Sequence, residues 1–254
     1  MSVWLPATTL PLSPVVKIPL LFAGAAGMHV TFTPPNPTPE PDEASKYGYK
    51  PSYTWFNISR NLATITLTYF HQVLHWINAV GETAVILATA FPSTIESGDI
   101  VHALAGNSGA GVRITTSSII GFSLMAFGGL TRFLSYREMG RLYTWELSVK
   151  RGHHLVTTGP YSVVRHPGYS AIGLATVGSI YGFLGPGSLL WEGGYLDSTS
   201  GKVFAGLWAF YQLATTAKLW QRCPVEDRVL REQFPEEWEA WAKKTPYKLI
   251  PFVY

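Results

Sequence analysis

Residues 168–190 read GYSAIGLATVGSIYGFLGPGSLL, a run that contains no charged side chain. A helix needs about 20 mainly apolar residues to cross the hydrocarbon core of a bilayer, so this run is long enough to span it. Its small residues are typical of helices that pack closely against other membrane helices. The stretch therefore predicts a helix of an integral membrane protein rather than a buried helix of a soluble one.

The rest of the chain agrees with a membrane protein. Only 14% of the 254 residues are charged, 14% are aromatic, and the mean hydropathy is +0.14. Soluble domains carry about 25% charged residues. Four further stretches of spanning length lie near residues 15–33, 62–91, 112–134 and 202–221. The fold class predicted is an all-α integral membrane protein with about five transmembrane helices.

A sixth element is possible because the stretch 62–91 is long. At 1.5 Å per residue, 30 helical residues would extend roughly 45 Å, well beyond the hydrocarbon core. Gly81-Glu82 lies inside this stretch and could break it into two pieces.

The few charges are clustered, and the clusters predict the topology. Thirteen of the 19 Lys and Arg residues lie within 131–170 and 218–254. Because short basic loops face the cytosol, the loop 135–167 and the tail after 222 are expected there. The loops 92–111 and 191–201 contain acids but no Lys or Arg, which suits the lumen. This alternation places the N-terminus in the lumen.

Composition also excludes several classes of partner and site. A net charge of +3 is too small to indicate nucleic acid or another polyanion as partner. The single cysteine, Cys223, excludes an internal disulfide and a cysteine zinc site.

Two regions are predicted along the chain. Residues 1–111 would hold the N-terminal transmembrane helices and a proline-rich loop, 33–41, which cannot be helical. Residues 112–254 would form the catalytic core, with three transmembrane helices, the cytosolic loop 135–167 and C-terminal helices within 222–244.

The first motif with chemical content is GHHLVTTGPYSVVRHPGY, residues 152–169. Gly159-Pro160 indicates a turn, and His166 precedes a proline, which disfavours helical backbone at that position. Polar side chains on irregular backbone at a membrane surface indicate a buried or water-filled cavity. The alternative is a basic loop at the lipid headgroups, but that would require only Lys and Arg.

The second motif is RCPVEDRVLREQFPEEWEAWAKK, residues 222–244. Pro224 suits the first turn of a helix, and the acids that follow it are favoured by the helix dipole. By itself the segment is equally compatible with a solvated helical hairpin that lies on the membrane.

Together the two motifs resemble the isoprenylcysteine carboxyl methyltransferase family. The first has the pattern His-x-Leu-Val-Thr-x-Gly-x-Tyr-x-x-x-Arg-His-Pro-x-Tyr, and the second Arg-x-x-x-Glu-Asp-x-x-Leu-x-x-x-Phe-x-x-Glu-Trp-x-x-Trp. The ending TPYKLIP, residues 245–251, is also similar. The resemblance is strong from about residue 112 onward and weak in the first third. One departure is Phe234-Pro235, where the family more often has Phe-Gly; the proline should stiffen the turn between the tail helices.

The resemblance implies an activity and a setting. Members of the family use S-adenosyl-L-methionine to methylate the C-terminal carboxylate of the prenylcysteine of prenylated, CaaX-processed proteins. It also implies a multi-pass protein of the endoplasmic reticulum membrane, surrounded by lipid, with its active site facing the cytosol. The C-terminal helical segment would close the cofactor site.

The resemblance also implies roles for individual residues. Tyr161 and Arg222 would bind the substrate, and Arg165 and Arg222 are the expected catalytic residues that hold the carboxylate. No metal ligand is implied. The residues expected to bind the cofactor are Glu146, His153, His154, Leu155, Val156, His166, Pro167, Gly168, Tyr169 and Glu226.

Elementary chemistry is consistent with these roles. An α-carboxyl group has a pKa near 3.3–3.7, so it is ionised at neutral pH and needs no general base. Arginine suits a carboxylate because its planar fork donates two hydrogen bonds.

Cys223 is not expected to act as a nucleophile, since this methyl transfer needs no covalent intermediate. His71 and His75 have the i, i+4 spacing of a metal pair, but with no third ligand nearby a structural role is expected.

Three alternatives stay open at the level of sequence. A related membrane methyltransferase could act on a phospholipid amine or a small thiol, although neither acceptor needs two arginines. Membrane sterol reductases, which use NADPH, share the Arg-His-Pro-x-Tyr segment and a similar ending. A lipid- or prenyl-binding module without activity is the third. The sequence also leaves open the oligomeric state and whether farnesyl or geranylgeranyl is preferred.

Overall fold

The computed structural model describes residues 12–37, 55–92, 95–106, 109–144 and 152–254. Of residues 55–68, 95 and 110 it describes only the backbone. Within these ranges the chain is helical and contains no strand, which confirms the predicted all-α class.

Helices of very different length make up the described chain. We number the α-helices in chain order, and four short 3₁₀ turns lie between or before them at Pro14–Val16, Gly109–Gly111, Gly140–Leu142 and Gly159–Ser162. The α-helices are α1 Lys17–Thr31, α2 Trp55–Ala90, α3 Ile95–Ala105, α4 Thr116–Met139, α5 Pro167–Leu184, α6 Leu189–Glu192, α7 Thr199–Trp220, α8 Cys223–Gln233 and α9 Pro235–Lys244.

Four segments are long and apolar enough to cross a membrane. They are Pro14–Thr31, Tyr69–Ala90, Thr116–Leu142 and Pro167–Glu192, and they coincide with four of the five predicted spans. The fifth predicted span, 202–221, is the helix α7, which is long enough but falls short of the other four in hydropathy.

The possible break at Gly81-Glu82 is wrong, because α2 runs unbroken through both residues. Glu82 is completely buried and forms an ion pair with Lys17 of α1, which is also completely buried. The Lys17 Nζ also donates to the carbonyl of Gly187 at 2.8 Å. The paired charges therefore permit a carboxylate inside the long helix.

Helix α4 lies between α1 and α5 and packs closely against both. The helix backbones meet at glycines: a Cβ added to Gly129 would lie 2.2 Å from the Cα of Gly27 in α1. A Cβ added to Gly178 of α5 would lie 2.5 Å from the carbonyl oxygen of Gly121. The small residues seen in the sequence therefore allow the close approach expected of membrane helices.

Helix α7 joins α5 through hydrogen bonds between side chains. The hydroxyl groups of Thr176 and Thr216 lie 2.8 Å apart, and Ser179 donates to Gln212 at 2.8 Å. The outer face of α7 exposes apolar side chains such as Leu207 and Phe210. Because α7 ends at Trp220, this contact places α8 beside the start of α5.

The start of the predicted proline-rich loop docks beside the end of α4. Residues 33–37 are not helical, and Asn36 Nδ2 donates to the carbonyl oxygens of Gly140 and Tyr143 at 2.8 and 2.9 Å. Residues 38–41 lie outside the described residues. The end of α1 is thus held next to the end of α4, where the candidate site begins.

Candidate active site

The link that precedes α5 is irregular, as its sequence predicts. Gly159 has a φ of 58°, a region that favours glycine, and it begins the turn Gly159–Ser162. Thr158 Oγ1 donates to the carboxylate of Glu138 in α4. The indole Nε1 of Trp241 in α9 donates to the carbonyl of Tyr161 at 3.0 Å. The turn is therefore held between α4 and the tail helices.

The tail after α9 pairs with the backbone just before α5. The amide of Arg165 donates to Tyr247 O at 2.9 Å, and the amide of His166 donates to Lys248 O at 2.9 Å. Since Pro167 begins α5, these amides lie outside the helix and need partners elsewhere. The tail supplies these partners and is thereby joined to the start of α5.

Asp227 of α8 contacts both the arginine and the histidine of the Arg-His-Pro motif. Its carboxylate accepts from Arg165 Nε at 3.3 Å and Nη2 at 3.2 Å, and its Oδ1 lies 3.0 Å from His166 Nε2. All three side chains are buried. This two-pronged Arg–carboxylate contact is the strong form of such a pair and joins α8 to the start of α5.

The guanidinium of Arg165 is engaged on all sides by the protein. Besides the contacts with Asp227, its Nη1 donates to Thr245 O at 2.9 Å and to Pro246 O at 2.8 Å. The guanidinium carbon also lies 5.7 Å from the ring centroid of Trp238. Arg165 borders the cavity, but these bonds tie it to α8 and the tail.

Glu226 precedes Asp227 and points to the other side of His166. It accepts a short hydrogen bond from the hydroxyl of Tyr169, and its Oε2 lies 3.6 Å from His166 Nδ1. Arg222 Nη2 lies 3.3 Å from Glu226 Oε1, one helical turn away. His166 is therefore flanked by one carboxylate on each ring nitrogen.

The charges of this cluster shift its pKa values in opposite directions. Burial alone would lower the pKa of His166, but the hydrogen bonds and charges of Asp227 and Glu226 outweigh it, so the pKa is raised. Burial would raise the pKa of both carboxyl groups, but the contacts with His166 and the two arginines hold them below their usual range. The cluster thus favours a protonated imidazole between two carboxylates.

A cavity opens beside this cluster, between the end of α4, the start of α5 and the helix α8. It is lined by Arg132, Met139, Leu142, Tyr143, Thr144, His153, Leu155, Val156, Tyr161, Arg165, His166, Gly168, Tyr169, Glu226, Val229, Leu230 and Trp241.

Most of the residues predicted for the site converge on this cavity. The lining includes His153, Leu155, Val156, Tyr161, Arg165, His166, Gly168, Tyr169 and Glu226. Three predicted residues do not line it: His154 is exposed, Pro167 is buried in the first turn of α5, and Arg222 reaches the site through Glu226. The prediction for Glu146 lies outside the described residues.

The sequence motifs assign no role to three important residues of the site. Asp227 belongs to the second motif without a predicted role, although it joins Arg165 to His166. In the sequence Arg132 contributes only to the charge pattern that predicts the topology, yet it is buried and lines the cavity. Its position inside an apolar span was a usable signal, because an ionisable residue there marks a functional site by default. Tyr143, also buried, lines the same wall.

Tyr143, Tyr161 and His153 of the cavity wall favour their neutral forms. Burial raises the pKa of Tyr143 and of Tyr161, so both phenols stay protonated. Burial and the neighbouring His154 lower the pKa of His153. Its ring stacks on Phe234 with centroids 5.9 Å apart, and its Nδ1 is buried without a hydrogen-bond partner among the residues that are described.

Two other reactive groups lie apart from the cavity lining. Cys223 is buried, and burial raises the pKa of its thiol to about 12, which disfavours the thiolate a nucleophile would need. His71 and His75 are buried in α2 with ring centroids 4.4 Å apart. In the part of the chain that the structure describes, no group of three His, Cys, Asp or Glu residues could hold a metal ion.

Residues 119–185 match the model of the isoprenylcysteine carboxyl methyltransferase (ICMT) family. Over this segment the chain is similar to members of this family. The matched segment includes most of α4, the whole first motif and all of α5, and so supplies most of the cavity wall. The family match does not extend to α8 and α9, which contribute Glu226 and Trp241.

Several curated proteins that the chain resembles have names that include protein-S-isoprenylcysteine O-methyltransferase. The chain is 28% identical over 138 residues to a "Probable protein-S-isoprenylcysteine O-methyltransferase" of Oryza sativa subsp. indica, covering 54% of this chain and 62% of the relative. The figures are the same for a protein of that name from Oryza sativa subsp. japonica. "Protein-S-isoprenylcysteine O-methyltransferase B" of Arabidopsis thaliana is 27% identical over 139 residues, 54% of this chain and 60% of the relative. The chain thus matches about three fifths of the length of these relatives. No solved structure matches it at a comparable level.

Proposed function

We propose that this protein methylates the C-terminal carboxylate of prenylcysteine in prenylated, CaaX-processed proteins, with S-adenosyl-L-methionine as the methyl donor. The observation that carries the proposal is the convergence of both motifs on one cavity. His153, Tyr161 and Tyr169 reach it from the matched segment, and Glu226 reaches it from α8. The cavity lies where the membrane spans α4 and α5 end and begin, so a lipid-borne acceptor can reach it.

The residues of the cavity fit this cofactor chemically. Glu226 has a lowered pKa and so stays ionised, which allows it to balance a sulfonium or ammonium charge or to accept a ribose hydroxyl. His153, whose Nδ1 has no hydrogen-bond partner within the described ranges, is proposed to bind a polar group of the cofactor, and Leu155, Val156 and Leu230 provide apolar surface. When bound, S-adenosyl-L-methionine supplies an electrophilic methyl group. The protein's own residues position the acceptor and exclude water.

The acceptor carboxylate needs orientation rather than proton removal. It is ionised at neutral pH, and holding two reactants in line can contribute several kcal/mol to catalysis. Tyr161 and Arg222 are the residues proposed to orient it, with Arg165 as an additional contact. The bonds from Arg165 to Asp227 and to the tail favour a second task for this residue, which is to hold the wall of the cavity in place.

We further propose that the cavity faces the cytosol from the endoplasmic reticulum membrane. The contacts between helix ends support the alternation of luminal and cytosolic loops that the charges predict. The start of α1, Glu82 and Gly187 meet at one end of the bundle, and Asn36 meets the end of α4 at the other. The basic stretches flank the second end. A glycan attached at Asn57, which begins the sequon Asn57-Ile58-Ser59, would contradict this orientation.

A methylation assay on membranes that contain the protein tests the proposal. The acceptor is N-acetyl-S-farnesylcysteine, the donor carries a tritiated methyl group, and the product is scored as base-labile radioactivity. We expect a methyl ester with this acceptor and none with its carboxamide, which lacks the reacting oxygen anion. Labelling of phospholipid or of a small thiol instead, or retention of NADPH without ester formation, would overturn the proposal in favour of another enzyme class.

A further inference from the structure

Arg132 is a buried cation inside a membrane-spanning helix, and it lines the candidate active site. It lies in α4, seven residues before Met139, and only 3% of its surface is exposed. A charged side chain in such a segment is costly unless it faces a cavity or is held by polar partners. Arg132 does both.

Two tyrosines hold the Arg132 guanidinium in one place. Its Nε donates to the hydroxyl of Tyr136 at 2.8 Å. Its guanidinium carbon lies 5.1 Å from the ring centroid of Tyr136 and 5.2 Å from that of Tyr143. Phenols are neutral at physiological pH, so these particular contacts orient the guanidinium without cancelling its charge.

The other edge of the guanidinium reaches the start of α5. A Cβ added to Gly168 would lie 2.5 Å from Arg132 Nη1. Gly168 follows the His166-Pro167 step and lines the same cavity. The absence of a side chain at this position therefore admits the guanidinium between α4 and α5.

The other two arginines of the site, Arg165 and Arg222, form different hydrogen bonds and ion pairs. Arg165 makes four hydrogen bonds to Asp227 and to carbonyl oxygens of the tail. Arg222 pairs with Glu226 and is partly exposed. A planar guanidinium that is fixed in position and faces a cavity is well suited to bind a carboxylate.

We propose that Arg132 binds a ligand carboxylate in this cavity. The inference rests on the proposed function, which offers two carboxylates of the same chemistry. One is the C-terminal carboxylate of the prenylated acceptor, and the other is the α-carboxylate of the methionine part of the cofactor.

Binding measurements with paired ligands test this inference on the purified protein in detergent. One pair is N-acetyl-S-farnesylcysteine and its carboxamide. The other is S-adenosylhomocysteine and its decarboxylated analogue. For the wild type we expect the carboxylate of at least one pair to bind more tightly. In Arg132→Gln that preference should fall about tenfold or more, because a charge-assisted hydrogen bond is lost. The affected pair identifies which carboxylate Arg132 contacts.

Matched variants separate this role from a structural one. Arg137→Gln removes an exposed cation from the same helix and should leave both preferences unchanged. Arg132→Lys should recover part of the preference, since it restores the charge without the fork. Gly168→Ala should lower the preference while Arg132 is retained, because its methyl group displaces Nη1. This variant serves as the test if Arg132→Gln does not fold.

Several outcomes would overturn the inference. They include an unchanged preference in Arg132→Gln, an equal loss of affinity for all four ligands, and, where that variant does not fold, an unchanged preference in Gly168→Ala. Failure of the proposed function is a separate result. In that case wild-type membranes would form no methyl ester, whatever Arg132 does to binding.

Discussion

At the scale of single residues, the site is organised around His166. Its two ring nitrogens face Asp227 and Glu226, and its backbone amide is bound by the tail. The neighbouring Arg165 shares Asp227 with it. One imidazole thus links α5, α8 and the tail, and its protonation state matters to how firmly these parts are joined.

The stability of the protein should therefore depend on pH through His166. Because its pKa in the folded protein is raised above the unfolded value near 6.5, the stabilisation is fully present below about pH 6.5 and is lost as the pH rises through the folded pKa. Asp227 and Glu226 have lowered pKa values, so their contribution is lost only as the pH falls through those values. We expect the thermal unfolding midpoint in detergent to decrease between about pH 6 and pH 9.

The variant His166→Gln should flatten this decrease, since glutamine does not titrate. His102→Gln removes an exposed histidine of α3 and is the matched control, which should keep the wild-type pH dependence. An unchanged slope in His166→Gln would show that another group is responsible.

At the scale of helices, the packing of α1, α4 and α5 depends on the absence of side chains. Gly129 of α4 and Gly27 of α1 bring the two backbones into direct contact. The hydrophobic effect does not drive helices together within lipid, so this close contact is the main source of their attraction.

The variant Gly129→Ala should destabilise the protein by about 1–3 kcal/mol, because the added methyl meets backbone that must move. Gly206→Ala in α7 is the control: nothing lies within 4 Å of its added Cβ. The control should be neutral or slightly stabilising, since alanine favours a helix more than glycine does. Thermal unfolding in detergent compares the two, and equal midpoints would argue against close packing of α1 on α4.

At the scale of the whole molecule, a buried ion pair ties the helices together at the end of the bundle away from the cavity. Lys17 joins α1 to Glu82 of α2 and to the carbonyl of Gly187 after α5. Glu82 Oε2 also accepts from the amide of Leu189 at 3.3 Å. The pair therefore connects three separate parts of the chain.

Breaking this pair on one side should be worse than replacing both partners. Lys17→Met leaves a buried carboxylate unpaired, which costs about 3–5 kcal/mol. The double variant Lys17→Met with Glu82→Gln carries no unpaired charge and should recover much of the loss. Unfolding midpoints of the wild type, both single variants and the double variant form the cycle. A double variant no more stable than Lys17→Met would show that the two charges do not interact.

Elements that depend on local pattern were predictable. The apolar runs predict α1, α4 and α5. The prolines and acids of the second motif predict two tail helices, of which α8 ends at Gln233 and α9 begins at Pro235. The unbroken α2 was not predictable locally, because the partner of Glu82 is Lys17, distant in the sequence.

The sequence by itself determined the class of protein and most of the cavity residues. Length and hydropathy are properties of a contiguous segment, and the two motifs mark the site with His153, His166 and Glu226. Only the tertiary structure decided what the three arginines do. Arg165 is bound by Asp227 and the tail, Arg222 pairs with Glu226, and Arg132 faces the cavity from α4. The physical reason is that a guanidinium acts on whatever lies within hydrogen-bond reach, and folding sets those neighbours.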